Sequence, residues 1–380
     1  MTDNILFAVE GSYYAAKIRA YLMCKGIPFH EVQAERSVFE EHIVPRVGWP
    51  VVPVMITDQN ETLQDTAQMI DFYEGKSLLP QLVPQAPRRR FVSYLLELLA
   101  DEWIKLPALH YRWAYDHDFA VAMMGRNNDP QLPVAAQQKI GAKIAQRFST
   151  WPGHLGVSDD NREAVEASYL ELLQLLESHF QACNFILGEV PTLGDCALAG
   201  PLYAHLHHDP YPGKIMREHA PALCAWTQRI RHVEPVSATH TDQADDLPPT
   251  LMPVLAHLGR DYSAVLTTAM PLLQAWLGNN PVGEIPRYVG KHRFTVGIGK
   301  PYQAEGMRSI IPFEGWKVQR LMDVVRGLES PARQTVEKFC GEIEIADLLS
   351  LNFPNRLERR DFKLARVPSV QQRRTSYPAA

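Results

Sequence analysis

Over its first 75 residues the chain alternates short apolar runs with helical patterns, and from Phe91 onward a helical period takes over. That change divides the chain, because a strand repeats every two residues and a helix every 3.6. Ile5 to Val9 reads as a short buried strand followed by Gly11 and Ser12. A helix then runs from about Tyr14 to Lys25, with Ala15, Ile18 and Leu22 on one face. Gly26 stands where a C-cap glycine belongs, and Pro28 stops the helix from continuing. A second strand covers Phe29 to Gln33. A third is entered through prolines between Trp49 and Ile56, with Asp58–Gln59–Asn60 as the turn after it. A short strand reaches Leu63, and a helix starts near Thr66 with Met69, Ile70 and Tyr73 facing inward. The order is β-α-β, a linker, then β-β-α.

Residues 79–90 carry Pro80, Pro84, Pro87 and the run Arg88–Arg89–Arg90, and are read as an interdomain linker whose basic run is solvated. From Phe91, the residues Tyr94, Leu95, Leu98 and Leu99 recur at helical spacing. A second strong helix spans about Arg162 to Gln181, with Leu170, Leu173, Leu176 and Phe180 inward. Thr192–Leu193–Gly194–Asp195 has the form of a capping box that opens a third. Another helix is expected around Ala222 to Arg231. Residues 237–250 are polar and end in prolines, marking a second loop. Beyond it, helices are expected over 251–277, a hairpin at 292–312 and a helix from Gly315 to Arg326. The last 50 residues are expected to lie partly extended over the surface or to be disordered at the end.

The chain has 380 residues, 46% of them hydrophobic, enough to bury more than one core. Its formal net charge of −5 argues against nucleic acid as a partner. No run approaches the ~18 apolar residues of a membrane span, so no membrane partner is expected. The N-terminus lacks a signal-peptide pattern. Five cysteines, odd in number and never as C-x-x-C, point to a reducing, cytoplasmic setting. Cys24 reads as a small buried hydrophobe. His205, His207, His208 and Asp209 cluster, but no further ligands stand at useful spacing and no metal is expected.

Three segments carry a resemblance. The first is G-S-Y-Y-A-A-K-I-R at 11–19 followed by K-G-I-P-F at 25–29. The second is V-P-V at 52–54 with Asp65–Thr66 beyond it, and the third is F-I-L-G-x-x-P-T-L-G-D at 185–195. In that order and spacing they resemble the glutathione transferase superfamily over residues 1 to about 235. The resemblance implies a thioredoxin-like α/β domain at 1–78 and an all-α domain at 91–235. Residues 236–380 form a mixed helix-and-hairpin extension outside it.

The resemblance also implies roles. Glutathione would be the co-substrate, with a hydrophobic electrophile as the second substrate, and the protein would be a homodimer joined across the face between the two domains. Asp65 would pair with the γ-glutamyl amine, while the Thr66 hydroxyl and the opening amides of its helix would hold the carboxylate. The cysteinyl backbone would pair with Val52, ahead of a cis peptide bond at Pro53. A thiol has an ordinary pKa of about 8.5, so a donor at a helix N-terminus is needed to favour the thiolate. Ser12 matches that position, with Tyr14 and Tyr13 as competitors; Ser12 also suits a plain N-cap. Tyr111 and Trp113 are expected in the hydrophobic pocket. A non-catalytic member acting through its extension is the alternative.

Overall fold

The computed structural model describes residues 4–76, 80–237 and 244–367. Its first layer is a four-stranded sheet. β1 (Asn4–Ala8) leads to α1 (Tyr13–Lys25) and returns in β2 (Phe29–Gln33), which pairs parallel to β1. Gly26 caps α1 in the left-handed region, at φ 68°, with its amide on Leu22 and Met23, as its position predicts. The expected linker holds two short helical pieces, α2 (Arg36–Val38) and α3 (Val44–Val47). Ile43 and Val47 are among the few buried residues there, too few to print a period on the sequence.

β3 (Val54–Ile56) and β4 (Thr62–Gln64) follow, antiparallel to each other, and α4 (Thr66–Gly75) closes the unit. The strand order is β2-β1-β3-β4, with β3 antiparallel to β1 and Phe7 opposite Val54.

α5 (Pro87–Leu98) runs through a π-helical turn at Leu99–Trp103 into α6 (Lys105–Ala114). The basic run is not solvated. Asp245 accepts the amides of Arg88 and Arg89 at 3.1 and 3.0 Å, supplying the cap that Ala86 lacks. The Arg89 guanidinium, buried, donates to the carbonyl of Leu187 at 2.9 Å. The linker thus ties residues 244–250 to the fold.

α7 (His117–Asn128), α8 (Val134–Ala145), the short α9 (Trp151–Leu155) and the long α10 (Arg162–Ala182) come next. α10 turns Tyr169, Leu172, Leu173 and Leu176 inward, and leaves Leu170 37% exposed against expectation. α11 (Leu193–Leu198) opens on the expected capping box of Thr192 and Asp195. Asp195 is fully buried and takes the Ile186 amide at 2.8 Å and the Trp226 indole at 3.1 Å. Burial outweighs these donors and pushes its pKa up to about 6. α12 (Pro210–His219) and α13 (Pro221–Arg231) complete the helical unit.

The extension is built into the core. α14 (Leu251–Asn279) is one continuous helix, and β5 (Lys291–Val296) and β6 (Ala304–Ser309) form the expected hairpin. α15 (Pro312–Arg326) and α16 (Ser330–Glu342) pack on α5. The hairpin of β7 (Leu357–Arg360) and β8 (Lys363–Arg366) ends the described chain. Far from draping over the surface, Val336, Phe339, Ile343, Leu348 and Phe353 are buried in the cluster that also holds Tyr21, Leu95 and Leu202. A Cβ on Gly315 would stand 2.3 Å from a terminal methyl of Leu273, so that side chain of α14 packs directly on α15 at the glycine. The expected terminal disorder falls on 368–380, outside the described residues. Among the described residues, no helix is long and apolar enough to cross a membrane.

Candidate functional site

Strand register brings three segments to one end of the sheet. β1 ends at Ala8 just before Ser12, and its Phe7 faces Val54, the first residue of β3 after Pro53. Val54 also pairs with Gln64, the residue before Asp65. Ser12, Val52–Pro53 and Asp65–Thr66 therefore sit on neighbouring chain ends. The Val52–Pro53 bond is cis.

Ser12 is the N-cap of α1 and accepts the Ala15 amide at 3.3 Å. A hydroxyl accepts and donates at once, so its proton stays available to a ligand. The first turn of α1 holds no acidic residue, which leaves its partial positive charge unopposed. Gly11, at φ 69°, enters the helix, and a Cβ there would meet Met123 Sδ at 2.6 Å. Arg112 braces this loop. Its guanidinium donates to the Gly11 carbonyl at 3.4 Å and clamps Asp209 at 2.6 and 2.7 Å while buried.

The two tyrosines point elsewhere. Tyr13 donates to the Ala100 carbonyl, and Tyr14 donates to the Asp101 carbonyl at 3.2 Å. Burial, reinforced by Asp101 and Glu102, raises both phenols well above their usual value.

Asp65 is the N-cap of α4 and accepts the Ala67 amide at 2.9 Å. Burial alone would raise its pKa, but Lys317, Lys17 and Arg359 outweigh it and hold the carboxyl below its usual range. Thr66 is 1% exposed, and its hydroxyl has no hydrogen-bond partner among the described residues.

Behind Asp65 lies a buried ion network joining all three regions. Lys17 of α1 contacts Glu97 and Asp101, each at 2.7 Å. Lys317 of α15 contacts the same Asp101 oxygen at 2.9 Å and Asp65 at 3.6 Å. Arg320, one turn on, bridges Asp71 of α4 at 2.9 Å and Glu97 of α5 at 3.8 Å. Arg359 of β7 donates to Gln64 and, at 3.3 Å, to Gln68, on either side of Asp65. Burial would lower the Lys317 pKa, yet Asp101, Asp65 and Glu97 drive it up, so it is an ammonium at any working pH.

Tyr111 and Trp113 are not brought together. Two residues apart on α6, they face different ways. Tyr111 is 1% exposed in a ring cluster, 5.2 Å from Tyr169 between centroids, which removes it from an open pocket. Trp113 sits half-buried beside His117, 6.0 Å away. The histidine cluster is used internally: Arg112 lies 2.8 Å from the buried ring of His205, and burial together with Arg112 holds that ring neutral. Among the described residues, no group of three side chains suits a metal. Cys24 is fully buried, with its sulfur 3.9 Å from that of Cys196.

Arg112 and Lys317 were missed as site residues. Neither carries a local pattern; each acts on a partner more than 100 residues away.

Residues 6–77 match the family model described as glutathione S-transferase, N-terminal domain, and residues 148–234 match that of its C-terminal domain. No curated protein matches. Among solved structures, a beta-etherase from Sphingobium is 16% identical, with a TM-score of 0.45, covering 67% of this chain and 99% of its own. A glutathione S-transferase from Methylobacterium radiotolerans, in complex with glutathione sulfonate, is 20% identical, with a TM-score of 0.38, covering 64% and 100%. A glutathione transferase from Phanerochaete chrysosporium is 14% identical, with a TM-score of 0.43, covering 62% and 99%. Residues 6–77 and 148–234 thus carry the two domains of the glutathione S-transferase pattern, in that order.

Proposed function

We propose that the protein is a cytoplasmic glutathione transferase that binds glutathione at the sheet end described above, ionises its thiol at Ser12 and adds it to a hydrophobic electrophile. One observation carries the proposal: Ser12, the cis Val52–Pro53 bond and the Asp65–Thr66 helix start share one end of the sheet. A strand edge next to two helix N-termini suits a peptide with an anionic sulfur at one point and a carboxylate at another. Ser12 is favoured as the thiol's donor because the protons of Tyr13 and Tyr14 are committed to the carbonyls of Ala100 and Asp101.

The thiol proton leaves to solvent, and the thiolate accepts a hydrogen bond from the Ser12 hydroxyl while the α1 dipole favours its charge. Val52 offers backbone groups to the cysteinyl unit, and Asp65 and Thr66 address the γ-glutamyl end. Arg112, through the Gly11 carbonyl, positions the loop carrying Ser12.

A second reading, a non-catalytic module acting through its extension, is favoured by Lys317 beside Asp65. The homodimer implied by the resemblance would use the face between the domains. Arg320 already bridges α4 and α5 there, so a second copy would dock on the extension instead.

The test is calorimetric binding of glutathione, then conjugation of a generic aromatic halide, by wild type and Ser12→Ala. Binding with conjugation lost in the variant supports the enzyme. Binding without conjugation in the wild type supports the module, and no binding removes the enzyme and leaves the extension as the place to look.

A further inference from the structure

The site has a feature that the two matched domains do not supply, because it comes from residues 312–326. We infer that Lys317 determines specificity at the ammonium end of the proposed glutathione site, its Nζ holding the place on Asp65 that a ligand's α-ammonium would take. This rests on Asp65 as the amine-pairing residue.

The placement is enforced from several sides. Lys317 is a buried side chain, fixed to Asp101 at 2.9 Å and standing 3.6 Å from Asp65. Its helix is pinned one turn on by Arg320, which spans Asp71 and Glu97, and two residues back by the contact of Gly315 with the Leu273 side chain. Arg359 adds a second cation from the β7–β8 hairpin, held between Gln64 and Gln68. The Asp65 side chain keeps 11% of its exposure. Beside it, the Thr66 hydroxyl is buried without a partner among the described residues, a polar group unspent at the neighbouring carboxylate position.

An arriving ammonium would share one carboxylate with a cation already in place, and like charges at that range repel. A ligand carboxylate would meet the same cations favourably. The ligand class that fits is therefore a thiol peptide with a carboxylate at its γ-glutamyl end and a neutral or missing α-amine. Glutathione binds without the usual contribution from its ammonium.

The experiment compares glutathione with N-acetylglutathione by calorimetry. The wild type binds the two within about threefold. Lys317→Met, in which Asp101 keeps Lys17, binds glutathione at least about tenfold tighter and leaves the acetylated peptide within about threefold, as expected when a tenfold step is one lost ion-pair competitor. An Asp65→Asn variant, which keeps a capping side chain, lowers glutathione affinity by less than about threefold. A wild type that already prefers glutathione tenfold, or a selective tenfold loss of glutathione in Asp65→Asn, overturns the inference. Binding by both proteins with an unchanged ratio overturns it too, and leaves the glutathione reading standing. Neither peptide binding either protein removes that reading, and the inference with it.

Discussion

Two helices begin at the same end of the same sheet, and they have been treated differently. The start of α1 offers Ser12, with no charged side chain in its first turn. The start of α4 offers Asp65, and there the extension has inserted Lys317 and Arg359. The first end answers to the α/β unit and to helical residues such as Ala100, Asp101, Arg112 and Met123; the second answers also to a segment about 250 residues later in sequence. A helix N-terminus is thus a site only to the extent that the rest of the chain leaves it open. The thiol end and the γ-glutamyl end can then be separated by mutation.

The largest effect is expected from the ion network that carries the difference. Lys17→Met removes the cation that Glu97 and Asp101 share, leaving them Arg320 at 3.8 Å and Lys317 at 2.9 Å, and should cost about 3 kcal/mol in denaturant unfolding. A loss under about 1 kcal/mol would mean the network does not hold α1 against α5 and the turn after it. Next, Ser12→Ala should lower kcat for conjugation about 100–1,000-fold, as for loss of one donor to a developing anion, with glutathione affinity within about threefold. An equal loss in affinity would make Ser12 a binding group, erasing the contrast between the two helix starts.

A smaller effect comes through pH. His179 donates to or accepts from the Thr250 hydroxyl at 2.9 Å, just before α14, and burial lowers its pKa from 6.5 to about 4. A folded value below the unfolded one means that its contribution is present above pH 6.5 and lost as pH falls through about 4. The loss is at most about 3 kcal/mol. Asp195 runs the other way, its contribution lost as pH rises through about 6, so the comparison must be His179→Gln against wild type between pH 4 and 7. Parallel stability curves for the two proteins would exclude His179. Least of all, Arg359→Ala should cost about 0.5–1.5 kcal/mol in thermal or denaturant unfolding, the range for hydrogen bonds to Gln64 and Gln68. A larger loss would make the hairpin, and not α15, the main seal at Asp65.

What could be read in advance follows the range of the interactions. Gly26, the Thr192–Asp195 box, the β5–β6 hairpin and the helix at Thr66 are local, and each left a signature within a few residues. The resemblance located Ser12, Pro53 and Asp65 by motif. Lys317 was invisible because a lysine in an amphipathic helix looks solvated, and only its distant partners reveal otherwise. The same holds for Arg88–Arg89, whose partner Asp245 lies across a polar loop. Leu170 erred differently: its neighbour Tyr169 took the inward position, and one residue of phase moves a side chain by about 100°.

The most direct test of the account is a crystal structure of the protein with glutathione. The account predicts the thiol sulfur within hydrogen-bond reach of the Ser12 hydroxyl, roughly 3–3.5 Å, and the cysteinyl backbone paired with Val52. Glutathione bound elsewhere, or its sulfur directed away from Ser12, would contradict it.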